Sequence, residues 1–230
     1  MDRPNILVGL LVLVFLVMFY YVANGQRVER QDYPDRSIAD RIDKIVYINL
    51  EKRKDRRQHM ESTFLTVFPP EKVMRFNAIQ HKRGAVGCCM SHLAVLEMAE
   101  REGWKNVLIL EDDCIWANAE EGQLVLRRLM SEPYDVIMLG TTHLEYDERT
   151  YRIKRALSTS SYLVNRAYYR KLIETIKAYN MDENHAIDII YTYVQPKDRW
   201  FAVVPNLILQ RDDYSDIQKE KVSYTNRFAF

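Results

Sequence analysis

Two kinds of hydrophobic pattern divide the chain. From Ile6 to Ala23 the sequence ILVGLLVLVFLVMFYYVA carries no charged residue. A helix of these 18 residues is about 27 Å long, enough to cross a hydrocarbon core. Tyr20 and Tyr21 fall at one end, where amphipathic rings suit a membrane interface. The run is long for a secretory h-region, so an uncleaved transmembrane anchor is expected rather than a signal peptide cut near Gly25. Residues 1–5 form a short tail and residues 24–41, polar and containing Pro34, read as a stem. The short tail favours a single-pass type II arrangement, with the domain at 42–230 luminal or extracytoplasmic.

Beyond residue 42 short apolar runs alternate with amphipathic stretches. Lys44–Asn49 is a β-branched and aromatic run and predicts a first strand. Asp55 and Gln58 have capping-box spacing and open a helix running to Phe68, where Pro69-Pro70 stops it. Val73–Ile79 predicts a second strand. Cys88–Arg101 predicts a helix with Cys89, Leu93 and Leu96 on one face, ended by Gly103. Val107–Leu110 predicts the next strand, Asn118 caps a helix to Ser131, and Asp135–Leu139 is a strand closed by Gly140. After Gly140 the pattern becomes mixed. Short strands at Tyr151–Lys154 and Ser160–Val164 precede a helix capped by Asn165 and reaching Ala178. Trp200–Val204 and Leu207–Gln210 are short extended pieces, and the last twenty residues are polar. Strand and helix in such close alternation predict an α/β fold, a mostly parallel sheet flanked by helices.

Composition narrows the partners. Lys plus Arg is 33 against 32 Asp plus Glu, a balance that argues against nucleic acid, whose binding needs a basic face. Cys88, Cys89 and Cys114 are odd in number, so no disulfide framework is implied. Zinc is not expected either, because no Cys-x-x-Cys or His-x-x-x-His pair accompanies them; all three read as buried small residues. No Walker-type glycine loop is present to cradle phosphates, which disfavours a nucleotidyl- or phosphotransferase of that kind.

The candidate chemistry centres on residues 106–114, NVLILEDDC. A buried strand there runs directly into Glu111, Asp112 and Asp113. In parallel sheets ligands bind at the carboxyl ends of the strands, and Asn49, Glu111–Asp113 and Gly140 all fall at such ends. Carboxylates packed together repel one another, and a hard divalent cation such as Mn or Mg relieves that repulsion. Along extended backbone, Glu111 and Asp113 share a side, which makes them the candidate metal ligands and turns Asp112 away.

Seven segments in order, Ile45–Leu50 with Arg53, Asp55 and Arg56, Gly87–His92, Leu108–Asp113, Tyr134–Gly140, Ser160–Val164, Ala186–Asp188, and Pro205 to Ile217, resemble glycosyltransferase family 25. That family includes lipooligosaccharide and procollagen galactosyltransferases. The resemblance covers residues 44–217 and implies a GT-A-like, Rossmann-type fold. It implies metal-assisted, inverting transfer of galactose or another hexose from a UDP-sugar to a hydroxyl of a glycan or protein acceptor. On that resemblance Asn49 and Leu50 would meet uracil or ribose, Arg53 and Arg56 base or diphosphate, and Asp112 the ribose or a backbone amide. Ser91 and His92, placed in the first turn of a helix, would face the donor or acceptor, and Asp188 would be the general base. Asp212, Asp213 and Asp216 form a further acidic group, and Tyr162 and Trp200 are candidates for stacking on a sugar, with core packing the default. Relatives often carry an acid where this chain has Ala85, so any role of that acid is absent here. The competing reading is an inactive module of the same fold that binds a glycan or protein at a membrane.

Overall fold

The computed structural model describes residues 36–179, 186–217 and 219–223. The apolar segment 6–23 and most of the stem lie outside them. No helix among the described residues is long and apolar enough to cross a membrane. Residues 36–41, counted above with the stem, form a helix (α1, Arg36–Arg41) whose Ile38 and Ala39 are buried in the core, together with the following Ile42. The Lys72 ammonium donates to the carbonyls of Ala39 and Ile42 at 2.9 and 2.8 Å, fastening the end of α1 to the domain.

The centre is a six-stranded sheet in the order β2 (Val73–Asn77), β1 (Lys44–Asn49), β3 (Asn106–Glu111), β8 (Ser161–Asn165), β5 (Val136–Met138), β9 (Trp200–Ala202). β1 runs parallel to both β2 and β3, and β5 parallel to β9; β8 alone is antiparallel to its neighbours. Five strands therefore point their carboxyl ends to one edge. The architecture is a mixed α/β fold with a mostly parallel sheet flanked by helices, as the alternation predicts. Successive residues of the central strands divide between two cores. Val46, Ile48, Val107 and Ile109 pack under α3 (Gly84–Glu102), α5 (Tyr169–Ala178) and α6 (Ile187–Thr192). Ile45, Tyr47, Leu108 and Leu110 pack on the opposite face under α1, α2 (Lys54–Ser62) and α4 (Ala119–Leu129). Burial on both faces explains why these strands read as continuous apolar runs.

Several boundaries differ from the sequence expectation for local reasons. α2 ends at Ser62, and Phe64–Val67 continues as a 3₁₀ turn, with Phe64 stacked on Trp116. α3 starts at Gly84, four residues before Cys88. It ends where Gly103 takes φ +69, the left-handed cap that glycine adopts freely. Asn118 stands before α4 with φ 37, but its side chain donates to the Asn206 carbonyl rather than capping the helix. Among the described residues three antiparallel pairs lie outside the main sheet: β6 (Thr142–Tyr146) with β7 (Ile153–Leu157), β4 (Cys114–Trp116) with β10 (Ile208–Gln210), and β11 (Asp213–Ser215) with β12 (Glu220–Val222).

Gly140 is where β10 crosses close to the end of β5. A Cβ there would run into the Ile208 carbonyl oxygen and press on Ser161 Oγ. Gly140→Ala is expected to lose about 1–3 kcal/mol through overpacking. A lowered urea midpoint at unchanged m-value is the signature, and an unchanged midpoint would refute the close approach.

Candidate active-site cleft

A cleft of about 630 Å³ opens at the carboxyl edge of β1 and β3, a volume typical of small-molecule sites. One wall is the end of the sheet with Leu50, Glu111, Asp112 and Asp113; another is α3, with Cys88, Ser91 and His92. Ser158, Thr159 and Asp188 close a third side, and the segment Gln210–Ile217 a fourth. Of the residues singled out in the sequence, the cleft brings together Leu50, Arg56, Ser91, His92, Glu111, Asp112, Asp113, Asp188 and Asp216. Asn49 and Arg53 stand behind its wall.

β3 ends at Glu111, and Asp112-Asp113 form the turn into β4. The three acids thus leave the strand alternation after Glu111, and each finds its own partner. Glu111 Oε1 accepts from Thr159 Oγ1 at 3.1 Å and lies 3.5 Å from His92 Nε2. Asp112 accepts from Asn49 Nδ2 at 2.7 Å and from Arg56 Nη1 at 2.8 Å. Asp113 meets the same Nη1 at 3.0 Å and Gln210 Nε2 at 3.4 Å. Arg56 also donates through Nε to Asp213 at 3.1 Å, so one buried guanidinium joins three carboxylates. The basic run at 52–57 is therefore only partly a solvated face. Arg53 turns inward as well, to Asp213 at 2.8 Å and Asp216 at 2.7 Å. Together with the Lys52–Asp216 pair, these bonds hold the C-terminal segment against the acidic turn.

The local charges act differently on the three acids. Burial pushes the Asp113 carboxyl up to about 7, Glu111 and Asp112 add to the rise, and Arg56 opposes it. Burial also raises Asp112 against the pull of Arg56 and Asn49. Burial would raise Glu111 too, but the His92 ring and Thr159 outweigh it, and that carboxyl lies below its ordinary value. Asp213 is held low by the Tyr214 amide and by Arg211, Arg56 and Arg53, which overcome its desolvation.

The remaining expected residues are placed as follows. Asn49 is buried and commits both ends of its amide internally, donating to Asp112 and accepting from Arg75 Nε at 2.9 Å. Ser91 and His92 lie two turns into α3 rather than in its first turn, because the helix begins at Gly84. Ser91 Oγ accepts from Ile79 N at 2.8 Å and donates to the Gly87 carbonyl at 2.7 Å, pinning the 78–81 loop to the helix. His92 is fully buried, with Nδ1 2.8 Å from Tyr162 Oη. Asp188 sits in the first turn of α6, accepting from its neighbour Ile189 N at 2.9 Å, and burial raises its carboxyl. Asp212 pairs with Ser223 Oγ at 2.8 Å. Tyr162 and Trp200 are fully buried and belong to the core.

Sequence reading did not single out Thr159, Gln210 or Cys88 as cleft residues. Thr159 lies in a run of four small hydroxyl residues, 158–161, and Gln210 is the polar end of an apolar run; both patterns mark strand ends that can face a ligand. Cys88, expected to be buried with the other two cysteines, is half-buried on the cleft wall.

Glu111 and Asp113 carry the carboxylate oxygens that Mg and Mn prefer, but the turn at Asp112 sends the two side chains to different partners, Thr159 and Arg56. Five acids line the cleft against four Lys and Arg side chains, and at Asp113 burial, helped by Glu111 and Asp112, outweighs the pull of Arg56.

No protein-family profile matches the chain, and no curated protein matches it. Among solved structures, a crystal structure described as mannose-1-phosphate geranyltransferase from Thermus thermophilus aligns at a TM-score of 0.43 and 13% identity, over 69% of this chain and 72% of that one.

Proposed function

We propose that this protein is a metal-assisted glycosyltransferase of the family 25 type, with a GT-A-like site that takes a UDP-sugar and passes its hexose to a hydroxyl of a glycan or protein acceptor with inversion. One observation carries the reading: a cleft at the carboxyl edge of a parallel sheet concentrates Glu111, Asp112 and Asp113 with net negative charge beside them. A diphosphate entering such a cleft is repelled unless a cation accompanies it. Glu111 and Asp113 would hold that Mn or Mg ion, which when bound neutralises the leaving diphosphate. Leu50 contributes apolar surface beside the donor, while Arg56 keeps the acidic turn in place. Arg53, Asn49 and Ser91 act by supporting this wall through the bonds already described. Asp188, with its raised carboxyl, accepts the acceptor-hydroxyl proton as the sugar carbon is attacked. His92 positions Glu111 from the α3 side. In this proposal residues 6–23 anchor the protein as a type II membrane protein, with the domain luminal or extracytoplasmic.

Incubation with a panel of UDP-sugars and Mn, with UDP release as the readout, should show donor turnover that chelation removes. A folded sample that turns over none of them refutes the reading. The arrangement of Arg56 supports a second reading, a non-catalytic binding module, since its guanidinium already links Asp112 and Asp113. Calorimetry with UDP separates the two, because only the enzyme should bind UDP better with Mn than without it.

A further inference from the structure

On the α3 wall, Cys88 and His92 stand four residues apart on one helix face and meet Glu111 at the end of β3. Their ligand atoms, Cys88 Sγ, His92 Nε2 and a Glu111 carboxylate oxygen, all lie within 4.8 Å of one another. We propose that these three residues form a binding site for a borderline-soft divalent cation of the zinc class, with the fourth coordination position open to the cleft.

The poorly paired nitrogen is the decisive observation. His92 is fully buried, and its Nε2 has only Glu111 Oε1 beside it, at 3.5 Å, a contact too long for a good hydrogen bond. A buried polar atom so poorly paired is unfavourable until something else meets it. The other ring nitrogen is fixed by Tyr162 Oη, itself 3.2 Å from Tyr191 Oη. In the tautomer that protonates Nδ1 and donates it to Tyr162, Nε2 presents a lone pair toward Glu111. Two acceptors and a sulfur then converge with nothing between them. A hydrogen-bonded Nδ1 behind an inward Nε2 is also how proteins orient histidine on a metal.

The donor set selects the ion. Thiolate and imidazole favour zinc over Mg or Mn, and three protein ligands leave a tetrahedral ion one open position. Tetrahedral N and S ligands lie about 3.5 Å apart by the usual bond lengths, so modest side-chain rotation closes the site. Binding replaces the thiol proton by the metal, and that proton leaves to solvent. The chain has no Cys-x-x-Cys or His-x-x-x-His pair, but Cys88-x-x-x-His92 offers the same helical spacing in mixed form, a pattern the sequence reading did not weigh. Because Glu111 is also a proposed ligand of the hard ion, the two cations compete for it. The zinc-class site itself does not depend on the transferase reading.

Cobalt(II) titration of the whole protein tests the site. The expected result is a tetrahedral d–d absorption with a thiolate-to-cobalt charge-transfer band, displaced by zinc and not by Mg. Cys88→Ser should remove the charge-transfer band and weaken binding at least tenfold, whereas Asp113→Ala should keep both. Alkylation followed by mass spectrometry gives a measurement on the unaltered chain, in which zinc should slow Cys88 modification several-fold and Mg should not. Absence of the thiolate band together with unprotected Cys88 overturns the proposal, as does a band that survives Cys88→Ser. Failure of UDP-sugar turnover leaves these readouts unaffected, so the two proposals fall separately.

Discussion

Arg56→Ala is expected to destabilise the protein by roughly 3–5 kcal/mol, the range for breaking a buried ion pair from one side. The guanidinium is 8% exposed and bonds Asp112, Asp113 and Asp213. Removing it leaves two buried carboxylates facing each other and frees a clasp on the C-terminal segment, since Arg56 Nη2 also donates to the Tyr214 carbonyl at 3.0 Å. The loss should depend on pH in a defined direction. Without Arg56 the ionised forms of Asp112 and Asp113 become still less favourable, so protonation relieves the penalty in acid and exposes it fully in base. Urea unfolding at pH 5 and pH 8 should give the larger difference from wild type at pH 8. A loss equal at both pH values would show that lost packing, not charge, dominates. Arg57→Ala is the control, because Arg57 pairs with Glu61 on the solvent-exposed face of α2 and should be close to neutral.

That Arg56 faces inward could not be read from its neighbours. It sits in EKRKDRR, where every residue is charged and no periodicity distinguishes the inward positions. Its partners lie 56, 57 and 157 residues away, and only tertiary packing brings them together. The central strands were legible for the opposite reason. Lys44–Asn49 is predicted to the residue and Asn106–Glu111 to within one at each end, because burial on both faces demands unbroken apolar runs. Short strands such as Cys114–Trp116 and Thr142–Tyr146 carry too few residues for any period to show.

The place of the site was legible and its internal wiring was not. A strand that ends in acids, in a chain that alternates strand and helix, puts those acids at the ligand edge of a sheet, and there the cleft opens. The expected pairing of Glu111 with Asp113 assumed that the backbone stays extended, whereas the chain turns at Asp112. Likewise Ser91 and His92 were expected at a helix start because the helix was predicted to begin at Cys88, just after Gly84 and Gly87. Gly87 instead sits inside α3 because the Ile79 carbonyl lies so close that a Cβ would collide with it. A glycine required by close packing looks the same in sequence as one required by a turn.

Asp113→Asn should separate function from stability at this turn. Asparagine keeps the shape and the contact with Gln210 but removes the charge. Asp113 titrates at about 7 in the fold against an ordinary value of 3.8. Its contribution to stability is therefore present below about pH 4 and is lost as the pH rises through about 7. At pH 8 the ionised side chain burdens the wild-type fold by a few kcal/mol, on the order of 1.4 kcal/mol per pKa unit. Without metal, the variant should match wild type near pH 4 and be the more stable protein at pH 8. Manganese should narrow that gap. An ion bound only by the folded state adds about 2.7 kcal/mol at a hundredfold excess over its dissociation constant, and it would reach wild type while leaving the variant unmoved. The same substitution should abolish Mn-dependent UDP-sugar turnover. Melting curves at the two pH values, each with and without Mn, decide the matter. A variant less stable than wild type at pH 8 in the absence of metal would mean that the Arg56 pair outweighs the cost of burial and the repulsion from Glu111 and Asp112. A variant still stabilised by Mn would remove Asp113 from the ion's ligands.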